Sequence, residues 1–222
     1  IQVMSKYSWS HYNKNNLILS KKMLSYNQKY RINFFENGLY NHVRDIFTLS
    51  LLMTKKKFRR THILDYGSNI ACLSNIHSKI DTKNFKFYIY DPFTKRKVNC
   101  LKPFKISFLN KNLHKKSFDM INFGSSLQYV ENLNEIKKNI NFTKVNLVSI
   151  THTPITFKKR YMCKQSNHLN LIQNVHDFKS IEKFFLKENL KLIFKSRNDD
   201  KFIACKNKRS GTFSLNLILK KS

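Results

Sequence analysis

Cysteine is sparse in this chain. Cys72, Cys100, Cys163 and Cys205 are widely spaced and make no C-x-x-C pair, which argues against a zinc site or a disulfide framework and for a reducing compartment. Long apolar runs are missing too. "LILSKKML" and "FTLSLLM" are too short to cross a bilayer, so no membrane span is expected. The opening "IQVMSKYSWSHYNKNN" is polar, without the apolar centre of a secretory leader, and the first residue, Ile1, leaves the natural start open at Met4 or upstream. These absences point to a cytosolic protein. Glycine is as scarce as cysteine, with 4 in 222 residues, so a glycine directly after a short apolar run in "THILDYGSNIACLSNI" needs a reason.

Acids are few as well: 13 Asp and Glu stand against 42 Lys and Arg, for a formal charge of +29. Such a surface attracts anions, and clustered cations release counterions from nucleic-acid phosphates. The charge is mostly Lys, however, spread from "KKMLSYNQK" to "LILKKS" and accompanied by abundant Asn, Ile, Phe and Tyr. AT-rich coding gives the same profile, so function and codon bias both remain open as its origin. No RRM-like aromatic signature appears, and no helix gathers Arg on one face. With 41% hydrophobic and 14% aromatic residues the chain has enough apolar surface for a packed core of ordinary domain size.

The periodicity changes in order along the chain. Residues 1–37 are polar and irregular and read as an N-terminal arm, with residues 38–222 as the folded domain. Leu39, Val43, Ile46, Phe47 and Leu51 predict a helix over roughly 38–57. "HILDY", "FKFYIYD", "FKISFL", "FDMINFG" and "VNLVSIT" read as strands, while "IACLSNIHSKI", "LQYVENLNEIKKNI" and "DFKSIEKFFLKEN" read as helices, the last with Asp177 as N-cap. "KLIFKSR" and "TFSLNLIL" close the chain as strands, with "KFIAC" as a further piece between them. Near-continuously apolar strands alternating with helices predict an α/β fold with a mostly parallel sheet covered on both faces; the last two strands, with no full helix between, predict an added antiparallel strand.

In such a sheet ligands sit at the carboxyl ends of the strands. The first strand ends at Asp65-Tyr66-Gly67, where a missing Cβ lets backbone approach a ligand. The second ends at Asp91, 26 residues after Asp65, where a carboxylate suits the vicinal hydroxyls of a ribose. The fourth ends in "FGSS", a second glycine at the same edge.

Together these residues resemble the class I S-adenosylmethionine-dependent methyltransferases: "HILDYGSN" is similar to their first motif, "YIYDPF" to the acid-ended second strand and "FDMINFGSSLQYVEN" to the fourth-strand motif. More narrowly, "LDYGS", "SSLQYVEN", "THTP" and "DFKSIEKFF" resemble methyltransferases associated with bacterial surface-polysaccharide genes. The resemblance spans roughly residues 39–200 and departs from the family in the first loop, where Ser68, Asn69 and Ala71 follow Gly67 in place of further glycines. It implies a Rossmann-like three-layer sandwich with a seven-stranded sheet and S-adenosylmethionine as cofactor; no metal is expected. Asp65, Gly67 and Ser68 would then stand near the methionine end of the cofactor, Asp91 on its ribose and Asn110 near its adenine, with Phe123, Gly124 and Ser125 lining the floor toward the acceptor.

Methyl transfer needs alignment and removal of the acceptor's proton, so a base near neutral pKa is useful. His152, read as following the fifth strand in "SITHTP", is the first candidate and Tyr129 the second; a loop histidine and a core tyrosine are the competing readings. Residues 153–176 read as a long connection, and its Lys158, Lys159 and Arg160 suit an anionic acceptor such as a nucleotide-linked or phosphorylated sugar. The arm with Tyr7, Trp9, His11 and Tyr12 reads either as a cover for the pocket or as a frayed end. Three functions follow: a methyltransferase for a small or sugar-type acceptor, a basic nucleic-acid-binding protein or RNA methyltransferase, and a methyltransferase-like binding subunit without cofactor.

Overall fold

The computed structural model describes residues 39–56, 59–67, 80–90, 106–109, 112–164, 172–198 and 205–222. The expected N-terminal arm, the helix from "IACLSNIHSKI" and most of "KFIAC" lie outside them.

The apolar runs pair as strands β1 (Thr61–Tyr66), β2 (Phe85–Tyr90), β3 (Ile106–Leu109), β4 (Met120–Gly124) and β5 (Leu147–Thr156). They lie parallel in the order β3-β2-β1-β4-β5, with Asp65 opposite Asn122 and Asn122 opposite Ser149. Beyond β5 the antiparallel β9 (Thr212–Lys221) pairs along its length, followed by β8 (Leu190–Arg197) at the edge.

Each parallel strand is apolar on both sides because each face is covered. On one face Leu64, Tyr66, Ile121, Phe123, Val148 and Ile150 meet α2 (Leu133–Asn139) and α3 (Phe178–Leu186) through Ile136, Ile181, Phe184 and Phe185. On the other, Ile63, Phe87, Met120 and Leu147 meet Ile46, Phe47 and Leu51 of α1 (Leu39–Thr54). Each large side chain so buried stabilises the fold by about 1.5–3 kcal/mol relative to exposure. Asp177 caps α3 as expected, its carboxylate accepting from the Ser180 amide at 2.8 Å.

Among the described residues the sheet has nine strands where seven were expected. The two additional ones, β6 (Tyr161–Lys164) and β7 (Ile172–Asp177), form an antiparallel hairpin inside what reads as a long loop over 153–176. β4 ends at Gly124 opposite Thr151, but β5 runs on, and β7 takes over on that flank by pairing His176 and Asp177 with Ile155 and Thr156. The hairpin thus rises beyond the carboxyl end of β4.

Two local expectations also change. "LQYVENLNEIKKNI" is not one helix but a 3-10 turn (Leu127–Tyr129) followed by α2, because Asn132 adopts an extended backbone and caps α2, accepting from the Asn134 amide at 2.9 Å. Cys163 and Cys205 are joined in a disulfide across 42 residues, against the expectation of free thiols.

Candidate active site

The carboxyl ends of β1 and β4 meet where Gly67 stands against Ser126. Gly67 has φ +71°, and a Cβ there would stand 2.6 Å from the Ser126 Cβ. The Ser126 hydroxyl in turn donates to the Tyr66 carbonyl. Packing between the two loops therefore already requires this glycine, a reason distinct from close approach of a ligand.

Asp65, expected near the cofactor's methionine end, is fully buried and accepts from the Asn122 amide at 2.8 Å; Ser149 donates to the Asn122 Oδ1 at 3.0 Å. This relay ties β1, β4 and β5 together just below their ends. Its carboxylate is thus turned along the sheet toward β4. Ser68, Asp91 and Asn110 lie outside the described residues.

Phe123 is buried, with its ring 5.3 Å from that of Tyr66, which lies 5.0 Å from Tyr90. Burial raises the Tyr66 phenol well above its ordinary value, with Tyr90 and Glu135 adding to the effect, so this hydroxyl stays protonated and is no base. Gly124 and Ser125 follow Phe123 at the half-exposed edge.

His152 does not follow β5 but lies inside it, at a bulge where Thr151 and His152 oppose the single residue Asn216 of β9. The bulge gives His152 a φ of +50° and turns its amide to the buried Asn216 side chain, whose Oδ1 accepts at 2.8 Å. Asn216 is itself held by Asn198 at 2.7 Å and Ser196 at 3.2 Å. The His152 Nδ1 lies 3.0 Å from the Ser125 Oγ, and the same hydroxyl donates to the His152 carbonyl at 3.3 Å. The Ser125 hydroxyl thus stands between the ring and the carbonyl of His152, while the ring's Nε2 is buried from solvent. Neither Ser125 as a partner for His152 nor Asn216 behind it is legible in the sequence, since 27 and 64 residues separate them from the histidine.

Tyr129 lies half-buried in the 3-10 turn after β4. The basic triplet divides. Lys158 donates to Ser210 at 2.8 Å and Lys159 is exposed, whereas Arg160 turns to Asn174 of β7 at 2.9 Å. Asn174 stands beside buried His176, whose Nε2–H donates to the carbonyls of Val130 at 2.9 Å and Leu127 at 3.3 Å. Among the described residues no group of three or more His, Cys, Asp or Glu could hold a metal ion, and no helix is long and apolar enough to cross a membrane.

No protein-family model matches the sequence, and no curated protein matches it. Solved structures do match in fold. The chain is similar to the 1,6-didemethyltoxoflavin-N1-methyltransferase of Burkholderia thailandensis, crystallised with 1,6-didemethyltoxoflavin and S-adenosylhomocysteine, at 10% identity and TM-score 0.52 over 94% of this chain and 89% of that one. It is similar to magnesium protoporphyrin IX methyltransferase from Synechocystis PCC 6803 with bound S-adenosylhomocysteine, at 10% identity and TM-score 0.53 over 96% and 97%. A methyltransferase of Listeria monocytogenes shares 11% identity at TM-score 0.50 over 78% of this chain and 96% of that one. The chain therefore has the Rossmann-like α/β fold of S-adenosylmethionine-dependent methyltransferases, with an antiparallel strand in a mostly parallel sheet.

Proposed function

We propose that this chain is an S-adenosylmethionine-dependent methyltransferase acting on a small or sugar-type anionic acceptor. The observation that carries the reading is the Ser125–His152 pair, which joins the carboxyl end of β4 to the bulge within β5, on the side at which α/β sheets bind ligands. Tyr66 and Phe123 are buried beneath this edge and pack against the partly exposed Tyr90, the ring that a sulfonium cofactor would meet, since ring faces attract a cation. Asp91, at the expected end of β2, is the ribose ligand in this reading.

When bound, the cofactor supplies an activated methyl group. The chain's own residues then have two tasks. Phe123 and Tyr66 pack beneath the edge, and His152, oriented through Nδ1 by Ser125, takes the acceptor's proton. The narrower expectation of a place in surface-polysaccharide synthesis rests on sequence resemblance alone.

Calorimetric titration of the full chain with S-adenosylhomocysteine tests the reading. Saturable binding that weakens by about tenfold or more in Asp91→Ala is expected, because each hydrogen bond to a charged group contributes on the order of 1.5–3 kcal/mol. A folded chain that binds no S-adenosylhomocysteine would instead be a binding subunit on a methyltransferase fold.

A further inference from the structure

Beyond the end of β5 two connections face each other, residues 157–160 leading into β6 and residues 206–211 leading into β9. Between them is a cleft lined by Thr156, Lys158, Lys159, Tyr161, Arg209 and Ser210. Three of these six are cations, three carry hydroxyls and none is a carboxylate.

The walls of this cleft are tied together at several points. The Phe157 amide donates to the Gly211 carbonyl at 3.0 Å and the Lys206 amide to the Lys164 carbonyl at 2.8 Å. Tyr161, buried, has its hydroxyl 2.8 Å from the Thr212 hydroxyl and accepts from the Arg209 amide at 3.2 Å, while the Arg209 guanidinium lies 4.6 Å from the Tyr161 ring centre. The Cys163–Cys205 disulfide closes the base of the same two segments. Lys158 packs along Gly211, 3.5 Å from where a Cβ would stand. Positive charge is thus held on a fixed frame, which lowers the ordering cost of binding an anion. Sequence alone groups Lys158 and Lys159 with Arg160, but Arg160 is turned to Asn174 and Arg209 takes the third place.

We propose that this cleft is a phosphate-binding subsite in which Lys158, Lys159 and Arg209 hold a phosphoryl or diphosphoryl group, with Ser210 as an additional hydrogen-bonding partner. That the ligand is the acceptor rests on the methyltransferase reading; the phosphate site itself does not. Thr156 lies four residues beyond His152 on β5, about 13 Å at ordinary strand rise. A ligand with its phosphate in the cleft and its reacting hydroxyl at His152 must bridge that span. A monosaccharide phosphate is too short, whereas a nucleotide-linked unit or a nucleic-acid strand reaches.

The test is calorimetry of the full chain, without cofactor, against uridine diphosphate and inorganic phosphate, together with anisotropy of a fluorescent oligouridylate across salt concentrations. Uridine diphosphate should bind, compete with phosphate, and lose about tenfold or more in affinity for each cation removed in Lys159→Ala and Arg209→Ala. Lys144→Ala, at the opposite edge of the sheet, should bind as the parent does. If the ligand is a strand, the oligouridylate should bind with a salt slope that falls by about 2 in the triple variant at Lys158, Lys159 and Arg209, roughly 0.7 per phosphate contact. If the source is a nucleotide, uridine diphosphate binds and the oligouridylate does not. Absence of binding by both ligands, or unchanged affinity in variants whose melting curves match the parent, overturns the subsite. Titration of the same variants with S-adenosylhomocysteine separates the two readings, since loss of either binding leaves the other intact.

Discussion

The Ser125 Oγ and the His152 Nδ1 lie 3.0 Å apart, and both residues hold left-handed backbone, with φ +57° and +50°. Non-glycine residues adopt such angles only where their surroundings impose them, at a cost of order 1–3 kcal/mol each. Here the Ser125 amide donates to the Thr151 carbonyl at 2.9 Å and the His152 amide to Asn216, so both ends of the pair are pinned by the strands that carry them. Two strained residues converging on one hydrogen bond beside the carboxyl end of β4 give the proton-transfer reading its geometric basis.

His152→Ala should lower kcat by about 10²–10⁴-fold with S-adenosylhomocysteine affinity nearly unchanged, the usual loss for a positioned base. Ser125→Ala should cost about tenfold or less, one hydrogen bond, and should shift the tautomer of His152 in nitrogen NMR spectra. An unchanged tautomer together with an unchanged rate would return His152 to a structural histidine.

Gly67→Ala forces a Cβ to within 2.6 Å of the Ser126 Cβ at a φ of +71°. The backbone strain and the overpacking together should destabilise the fold by about 2–4 kcal/mol, read as a lower denaturant midpoint at unchanged slope. Ser126→Gly should recover part of the loss in the double variant, because it removes the atom the new Cβ meets. Simple additivity of the two losses would mean that the loops do not depend on this contact.

The sheet's parallel half was legible because strands buried on both faces are near-continuously apolar, as in "HILDY" and "FKFYIY". The extension of β5 was not. His152 and Pro154 both resemble strand terminators, yet Pro154 sits where β4 has ended opposite Thr151 and β7 begins only opposite Ile155, so one flank of the strand is open and a proline is tolerated. The β6–β7 hairpin escaped notice because "YMCK" and "IQNVHD" mix polar and apolar residues without a glycine turn between them. Strand-end positions of Gly67, Gly124 and Ser125 could be read from order along the chain. The pairing of Ser125 with His152, and the replacement of Arg160 by Arg209 in the basic cleft, depend on register and on a bulge, which local sequence does not encode.

Burial lowers the His176 pKa to about 4, with the Arg160 charge acting in the same direction and the bonds to the Leu127 and Val130 carbonyls partly opposing them. The unfolded histidine takes up a proton near pH 6.5, so between about pH 6.5 and pH 4 the unfolded state binds more protons than the folded one. Stability from this residue is therefore complete above pH 6.5 and falls with acidification by up to about 1.4 kcal/mol per pH unit, levelling off below pH 4 at a loss of about 3 kcal/mol. His176→Gln, which keeps a donor for the Val130 carbonyl, should flatten the unfolding free energy across that window. A parent protein with no slope there would show that His176 is already charged in the fold.

The Cys163–Cys205 disulfide encloses a loop of 42 residues, and among the described residues the buried cluster around it holds Tyr161 and Val175 besides the two cysteines. So small a satellite core supplies little burial energy of its own, and constraint of the unfolded chain carries much of the stability of this region. The chain-entropy estimate for such a loop is about 4 kcal/mol, and measured values commonly fall at 2–4 kcal/mol. A dithiol reductant, or Cys163→Ser with Cys205→Ser, should lower the unfolding midpoint by an amount in that range. The loss should not be uniform. Amide exchange should speed up first in β6, β7 and residues 206–211, while the parallel strands β1, β4 and β5, buried between the two large clusters, keep their protection. Uridine diphosphate affinity should fall with reduction as the cleft loses its frame, whereas affinity for S-adenosylhomocysteine should hold. Equal deprotection throughout the sheet would show instead that the hairpin and the parallel strands unfold as one cooperative unit.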